Sequence, residues 1–446
     1  MPENNRRSFL KTSALGGAGI AASTFLIQDA GQASANEQIN IGVIGLGGRG
    51  TALTRGFARH KGARITMLCD PDLRRTENAF NLLKTEHNPD IRREQDFRRV
   101  IESRDVDAVV VATPDHWHAL PTILACQAGK DVYVEKPCSY CVWEGQKMIE
   151  AARKYDRVVQ VGTQTRSGEY TRKAKEYITS GRLGKIPLCK IFNLKSGGPF
   201  RLGKPAEAPE HLDWDLWLGP APMREYRAGY ERDWYYLWDF CGGDFGNDSI
   251  HQIDAARMII DKEYPRAVQC SGGILAFDDD REVPDTQTAT IEFDDMIVSY
   301  HNTQYAPYMA KTAMEIRDQD IFPYWYQNST RVEIYGTEGL MVFGRHGGGW
   351  QVFTKEGEVV EEMHGNFPEF EHRQNFLDCI RSRQRPNADI EEGHKSAVWF
   401  QLGNIANRLG NRRLEFDAET QTTNDPEANQ MLKRSYREPY VIPERV

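Results

Sequence analysis

Apolar positions along the 446-residue chain fall into two regimes. Between residues 39 and 161, short apolar runs alternate with stretches of helical periodicity. Runs at 39–44, 63–69, 106–112, 131–134 and 158–161 read as buried strands, and the helical period places helices at 51–60, 73–86, 97–101, 119–128 and 140–155. The run VDAVVVA at 106–112 is apolar nearly throughout, as expected of a parallel strand covered on both faces. Such alternation predicts a doubly wound parallel sheet that binds ligands at the carboxyl ends of its strands.

Beyond Gly162 the pattern changes. A helix is expected at 168–180 and a strand at 186–194. An irregular stretch follows, with Trp214, Trp217, Tyr226, Tyr230, Trp234, Tyr235, Tyr236 and Trp238. A long aromatic loop between a strand and a helix is often a ligand wall, and flat rings suit the C–H faces of sugars. Trp234, Tyr235 and Trp238 are therefore candidate substrate residues. One continuous helix is expected at 247–260. Segments 286–293 and 297–302 flank Asp294-Asp295 as a hairpin, and 331–335, 340–343 and 350–354 supply further strands. A second aromatic insertion, 304–327, is placed to cap a site. Helices at 369–381 and 391–408 are expected to return to the first domain, leaving 411–446 as a polar surface tail. The expected fold class is α/β: a nucleotide-binding doubly wound domain at 36–162, then an α+β domain at 163–410 with an open, mainly antiparallel sheet.

Ahead of the first strand, Arg6-Arg7-Ser8-Phe9-Leu10-Lys11 precedes a weakly apolar Gly/Ala-rich run and Ala33-Ser34-Ala35. This reads as a twin-arginine export signal over 1–35, cleaved before Asn36, and implies a periplasmic enzyme. The run is too short and interrupted to span a membrane. No cysteine precedes Cys69, so no membrane anchor is expected after cleavage. The net charge of −8 argues against nucleic acid as the main partner. The eight cysteines are scattered; Cys138 and Cys141 form the only C-x-x-C, a poor zinc site without a second pair, and no metal is expected.

The most informative turn is Gly45-Leu46-Gly47-Gly48-Arg49-Gly50, which directly follows the first strand. Gly45 permits the turn, Gly47 lets backbone approach a pyrophosphate, and Gly50 lets the next helix pack close, with its N-terminal N–H groups aimed at the anion. Asp70, at the end of the second strand, stands where a dinucleotide fold binds the adenosine ribose hydroxyls. Its charge would repel a 2′-phosphate, so NAD is expected over NADP, tempered by the neighbouring Arg74 and Arg75.

Taken together, this fingerprint, TPDHWH at 113–118, AGKDVYVEKP at 128–137 and GGDFGNDSIHQID at 242–254 resemble the Gfo/Idh/MocA family over residues 39–409. These are NAD(P)-dependent Rossmann-fold oxidoreductases of sugars, inositols and polyols. The resemblance implies that Gly45, Gly47, Gly48, Arg49, Gly50, Asp70, Thr113, His118, Glu135 and Lys136 bind the cofactor. It also implies a cis Lys136–Pro137 bond, a catalytic Lys136 oriented by Glu135, and a proton-accepting His251. Such proteins often assemble as homo-oligomers through the outer face of the open sheet. A lysine ammonium stabilises a developing alkoxide, and an imidazole is a base near neutral pH.

The sequence departs from the family pattern at Asn247, where an aspartate is usual four residues before the histidine. The constellation becomes Lys136–Asn247–His251, with Asp248 adjacent as a substrate-side candidate. One residue turns about 100° around a helix, so Asp248 does not simply replace the missing carboxylate. The expected activity is NAD-dependent oxidation or reduction of a secondary hydroxyl on a sugar, glycoside or polyol, with a tightly held, recycled cofactor. Alternatives are glycoside cleavage or epimerisation through a transient keto-sugar, and a cofactor-retaining sugar-binding protein without turnover.

Overall fold

The structure, a computed structural model, describes residues 38–83, 90–317 and 319–446; the export signal expected at 1–35 lies outside them. The first half is a six-stranded parallel sheet. Its strands are β1 (Ile39–Ile44), β2 (Ala63–Cys69), β3 (Arg92–Glu94), β4 (Ala108–Val111), β5 (Asp131–Val134) and β6 (Val159–Val161), in the order β3-β2-β1-β4-β5-β6. Strand order reverses between β1 and β4, and the crevice at that switch point is where such sheets bind ligands. Helices α1 (Gly48–Ala58), α2 (Leu73–Leu83), α3 (Phe97–Glu102), α4 (Ala119–Gln127) and α5 (Val142–Lys154) connect the strands. The central strands are buried on both faces, as their apolar runs require. The edge strand β3 has no apolar signature: Arg92-Arg93-Glu94 pairs only with β2, and its exposed side chains hid it in the sequence.

The second half is built on a ten-stranded sheet, order β14-β13-β12-β11-β7-β10-β9-β8-β15-β16. Its strands are β7 (Leu188–Leu194), β8 (Ala267–Gly273), β9 (Thr286–Glu292), β10 (Ile297–Thr303), β11 (Arg331–Tyr335), β12 (Leu340–Gly344), β13 (Trp350–Phe353), β14 (Val359–Met363), β15 (Leu414–Asp417) and β16 (Thr422–Thr423). Only the β7–β10 pairing is parallel. The hairpin read around Asp294-Asp295 is the β9–β10 pair.

Two corrections concern this half. The helix expected at 247–260 is broken: α6 (Gly243–Asn247) ends and α7 (Ile250–Ile259) starts afresh. The carbonyl of Asp244 receives the Asp248 N–H at 3.2 Å, the Ser249 N–H at 3.1 Å and the Ser249 hydroxyl at 3.0 Å. A side-chain hydroxyl that competes for the backbone, with a widened turn, interrupts the regular helical ladder there. The second correction concerns 411–446, which is not a surface tail. It contributes β15 and β16 and buries Leu414, Ala428, Leu432, Tyr440, Ile442 and Val446. A polar average concealed a sparse apolar set.

Helices α8 (Glu369–Ser382) and α9 (Ile390–Arg408) return to the first half. Phe376 of α8 meets Phe57 and Tyr133 edge-on, at 6.1 and 5.8 Å between ring centroids. His372 of α8 shares a hydrogen bond of 3.0 Å with the Val161 carbonyl, and His394 of α9 one of 3.0 Å with Gln421 Oε1. Burial lowers both imidazoles from 6.5 to about 4. The unfolded chain therefore takes up these protons first as pH falls. The stability they support is complete above pH 6.5 and is lost between 6.5 and about 4, about 3 kcal/mol for each histidine. Urea unfolding measured across that window should show falling stability, with a shallower slope in His394→Gln. Equal slopes in the two proteins would refute the assignment.

Candidate active site

The glycine turn is shaped by what it excludes. Gly45 has φ +89°, and a Cβ there would stand 2.6 Å from the Ala112 carbonyl oxygen. A Cβ on Gly50 would stand 1.8 Å from the Gly45 oxygen, so α1 lies directly against the turn. At Gly47 and Gly48 the space is open, with only an Arg75 side-chain nitrogen 3.5 Å from a Gly47 Cβ. Helix α1 has no side-chain cap, which leaves its first N–H groups available to an anion.

These residues line a cavity of about 420 Å³ at the strand ends. Gly45, Gly47, Gly48, Arg49, Asp70, Thr113, Glu135, Lys136 and Asn247 line it, and Trp234 and Tyr235 close it from the second half. Asp70 is buried, and its carboxylate accepts the Leu46 N–H at 2.7 Å and the Asp72 N–H at 2.9 Å, which ties the end of β2 to the glycine turn. Burial raises its pKa, against the lowering pull of Arg75. Arg74 is committed to Asp72 at 2.9 Å, whereas Arg75 lines the cavity and donates to the Glu231 carbonyl at 3.1 Å. Arg49 does not stand free: it pairs with Glu135 at 2.7 Å and with Glu369 at 2.6 Å. An open glycine cradle, uncapped helix N–H groups and a strand-end carboxylate form a donor and acceptor set that fits NAD.

Lys136 follows β5 and precedes Pro137 through a cis peptide bond. Its ammonium donates to the Asn247 backbone carbonyl and, at 3.2 Å, to Asn247 Oδ1. That carbonyl is available because the helix is broken: the His251 N–H bonds to Asp248 at 3.3 Å and not to Asn247. The break thus joins the two halves of the molecule at the lysine. His251 is buried, and its Nδ1 has no hydrogen-bond partner among the described residues. Burial, with Arg345 and Lys136 close enough to add their charge, holds its pKa well below 6.5. It is a neutral imidazole at physiological pH. Asp254, three residues after His251 on the same helix, is fully buried against Arg166 at 2.9 Å.

A second cavity of about 510 Å³ meets the first at Tyr235 and Asn247. Lys195, Tyr236, Asp244, Asp248, Gln304, Met309 and Lys311 are among its walls. The insertion at 304–327 does reach the site, but through Gln304, Met309 and Lys311. Its Tyr305, Tyr308, Tyr324 and Tyr326 are exposed.

Four sequence candidates line neither cavity, the first being the buried His251. His118 spans two loops, one ring nitrogen 2.6 Å from the Pro137 carbonyl and the other 2.9 Å from that of Thr113. It ties the loop that carries Lys136 to the loop that follows β4. Trp238 lies under Arg408, 5.0 Å from ring to guanidinium, and its carbonyl accepts the Tyr140 hydroxyl. Gly50 acts through the turn and not as a wall. Conversely, sequence reasoning missed Lys195, Lys311, Arg345 and Asp115. Lys195 is the first residue beyond the predicted strand and Lys311 the only lysine of the insertion, which were usable signals. Nothing in the sequence marks Arg345. Cys138 and Cys141 are buried as free thiols, and burial pushes Cys138 up to about 12, so no thiolate forms there near neutral pH.

Three sequence profiles match the chain: "Oxidoreductase family, NAD-binding Rossmann fold" over residues 39–163, "GFO/IDH/MocA C-terminal domain" over 171–342, and "Oxidoreductase family, C-terminal alpha/beta domain" over 324–442. The scyllo-inositol 2-dehydrogenase (NAD(+)) of Bacillus subtilis is 25% identical over 363 residues, 78% of this chain and 88% of that protein. A glycosyl hydrolase family 109 protein of Solibacter usitatus is 34% identical over 174 residues, 35% of this chain and 38% of its own length. Aldose-aldose oxidoreductase from Caulobacter crescentus shares the fold with a TM-score of 0.64 at 19% identity, over 85% of this chain and all of that one. Profiles and strand-end cavity coincide along the same residues, and the chain belongs to the Gfo/Idh/MocA family of NAD-dependent oxidoreductases acting on CH–OH groups.

Proposed function

We propose that the chain oxidises and reduces a secondary hydroxyl of a sugar, glycoside or polyol at the seam between the two cavities. The observation that carries this reading is the Lys136 ammonium seated on Asn247 at that seam. An ammonium has three N–H donors. Two are directed at Asn247, which leaves one for a substrate oxygen. That donor stabilises negative charge on the oxygen as its proton departs. Asn247 cannot accept the proton, whereas neutral His251 can. NAD, when bound, supplies the acceptor for the electrons leaving the carbon. Tyr235 presents a ring to both cavities and suits the C–H face of a sugar.

The proposal includes export by the twin-arginine route and retention of NAD between turnovers, since the periplasm offers no evident pool of free nucleotide. A strap supports retention. The Leu73 N–H bonds to the His211 carbonyl at 3.0 Å and the Asp213 N–H to the Pro71 carbonyl at 3.0 Å, which sews the 210–235 stretch to the adenosine end of the first cavity. It also includes a homo-oligomer through the open sheet face, where alternate residues of β7, β9 and β10 are only half-buried. Protein purified without added nucleotide should release NAD on denaturation. Its absorbance near 340 nm should rise with a candidate sugar. A nucleotide-free protein that never changes absorbance across a sugar and polyol panel would refute the reading.

A redox-neutral turnover through a transient keto-sugar is the second reading. Asn247 in place of a carboxylate favours it, as does the match to a glycosyl hydrolase family 109 protein over 174 residues. Solvent deuterium at the carbon next to the oxidised one, without net absorbance change, would distinguish it.

A further inference from the structure

Charge around Asp248, on the wall of the second cavity, is unbalanced. Asp248 is met by three cations: Lys195 Nζ at 3.0 Å, Lys311 Nζ at 2.8 Å and Arg345 Nη1 at 2.8 Å. Lys195 also bonds Asp244, at 2.6 Å. Two carboxylates thus face three cations, with Lys136 on a neutral amide beside them. Asp115 acts on Lys136 from the nucleotide side. Arg345 is buried, and its Nε has no hydrogen-bond partner among the described residues. Uncompensated charge of one sign in a partly buried site is costly unless a ligand balances it.

We infer that the substrate is a sugar acid whose carboxylate enters the second cavity at Lys311 while its reacting hydroxyl lies at Lys136. The inference rests on the dehydrogenase reading for the position of the hydroxyl only. Arg345 stands behind the cavity wall on Asp248, so the cluster of Lys195, Lys311, Arg345, Asp244 and Asp248 carries a surplus of one charge, which matches a carboxylate better than a phosphate dianion. Lys311 is the movable member. It lies on the insertion, its side chain is 40% exposed, and it shares Asp248 Oδ2 with Lys195. It can turn to an incoming carboxylate while Lys195 and Arg345 keep Asp248 neutralised. Burial and the neighbouring Lys195 and Arg345 already lower its pKa, as expected of a cation short of counter-charge.

Matched pairs test this on the full chain with NAD present: glucuronate with glucose, galacturonate with galactose, and glucose 6-phosphate as the phosphate arm. Binding is read by calorimetry and thermal shift, and turnover at 340 nm. At least one acid should bind about tenfold or more tighter than its neutral partner, with a preference that weakens in salt. Lys311→Met should remove that preference and Lys311→Arg should keep it. Neutral sugars that bind as well as their acids, failure of every acid to bind, or an acid preference unchanged in Lys311→Met would each overturn the inference. Tighter binding of glucose 6-phosphate than of either acid would overturn the carboxylate assignment. Acids that bind through Lys311 without any reduction of NAD would uphold this inference and count against the dehydrogenase reading. Reduction by neutral sugars alone would do the reverse.

Discussion

An alanine at position 136 is expected to slow turnover about 10³-fold while the protein still folds and retains its nucleotide. The separation follows from position. Lys136 stands at the seam of the two cavities, and its ammonium contacts Asn247 and no part of the glycine cradle. Truncation removes the donor that meets charge developing on the substrate oxygen, an interaction that strengthens only as the reaction proceeds. The loss should therefore appear in kcat, with a smaller change in KM. Folding should tolerate the change because the broken helix is held independently by Ser249 and Asp244. Stopped-flow absorbance and nucleotide content on the same preparation decide the matter. Turnover near the parent rate would remove Lys136 from the mechanism, whereas loss of nucleotide would give it a binding role instead.

Gly50→Ala should have the largest effect on the nucleotide half. The added Cβ would lie 1.8 Å from the Gly45 oxygen and 2.8 Å from its carbonyl carbon. The turn cannot yield, because the Gly45 N–H bonds the Cys69 carbonyl at 2.8 Å and the Leu46 N–H bonds Asp70 at 2.7 Å. Helix α1 must move off β1 instead, at a cost of about 3 kcal/mol, and the uncapped N–H groups move with it. Lower thermal stability together with loss of bound NAD is the expected result. Gly48→Ala is the control: no atom lies within 4 Å of its Cβ, and stability should stay within about 0.5 kcal/mol of the parent. Equal stability of the two variants would show that the turn is looser than its contacts imply.

Much of the architecture is written in local pattern. Alternating apolar runs and helical periods foretold five of the six parallel strands, because a strand covered on both faces has to be apolar along its length. Gly45, Gly50 and Asp70 were legible for the same kind of reason: a tight turn, a close helix and a strand-end carboxylate each demand a particular residue at a particular offset. The segments that escaped notice lack that demand. Strand β3 is three charged residues held by one neighbour, and the C-terminal segment buries apolar residues too thinly spaced for any period.

The site divides along the same line. Residue order alone carried the nucleotide cradle, the lysine at the end of β5 and the histidine on the later helix, since each belongs to a short motif with its own local geometry. Three-dimensional packing settled which groups meet across long stretches of chain: Lys136 with Asn247, and Lys195, Lys311 and Arg345 with Asp248. It also placed Trp238 under Arg408 rather than on a cavity wall. Such encounters depend on a helix break and on loops from separate strands. A break set by one hydroxyl leaves no trace in hydrophobic period, and charge pairs between distant loops leave none in spacing.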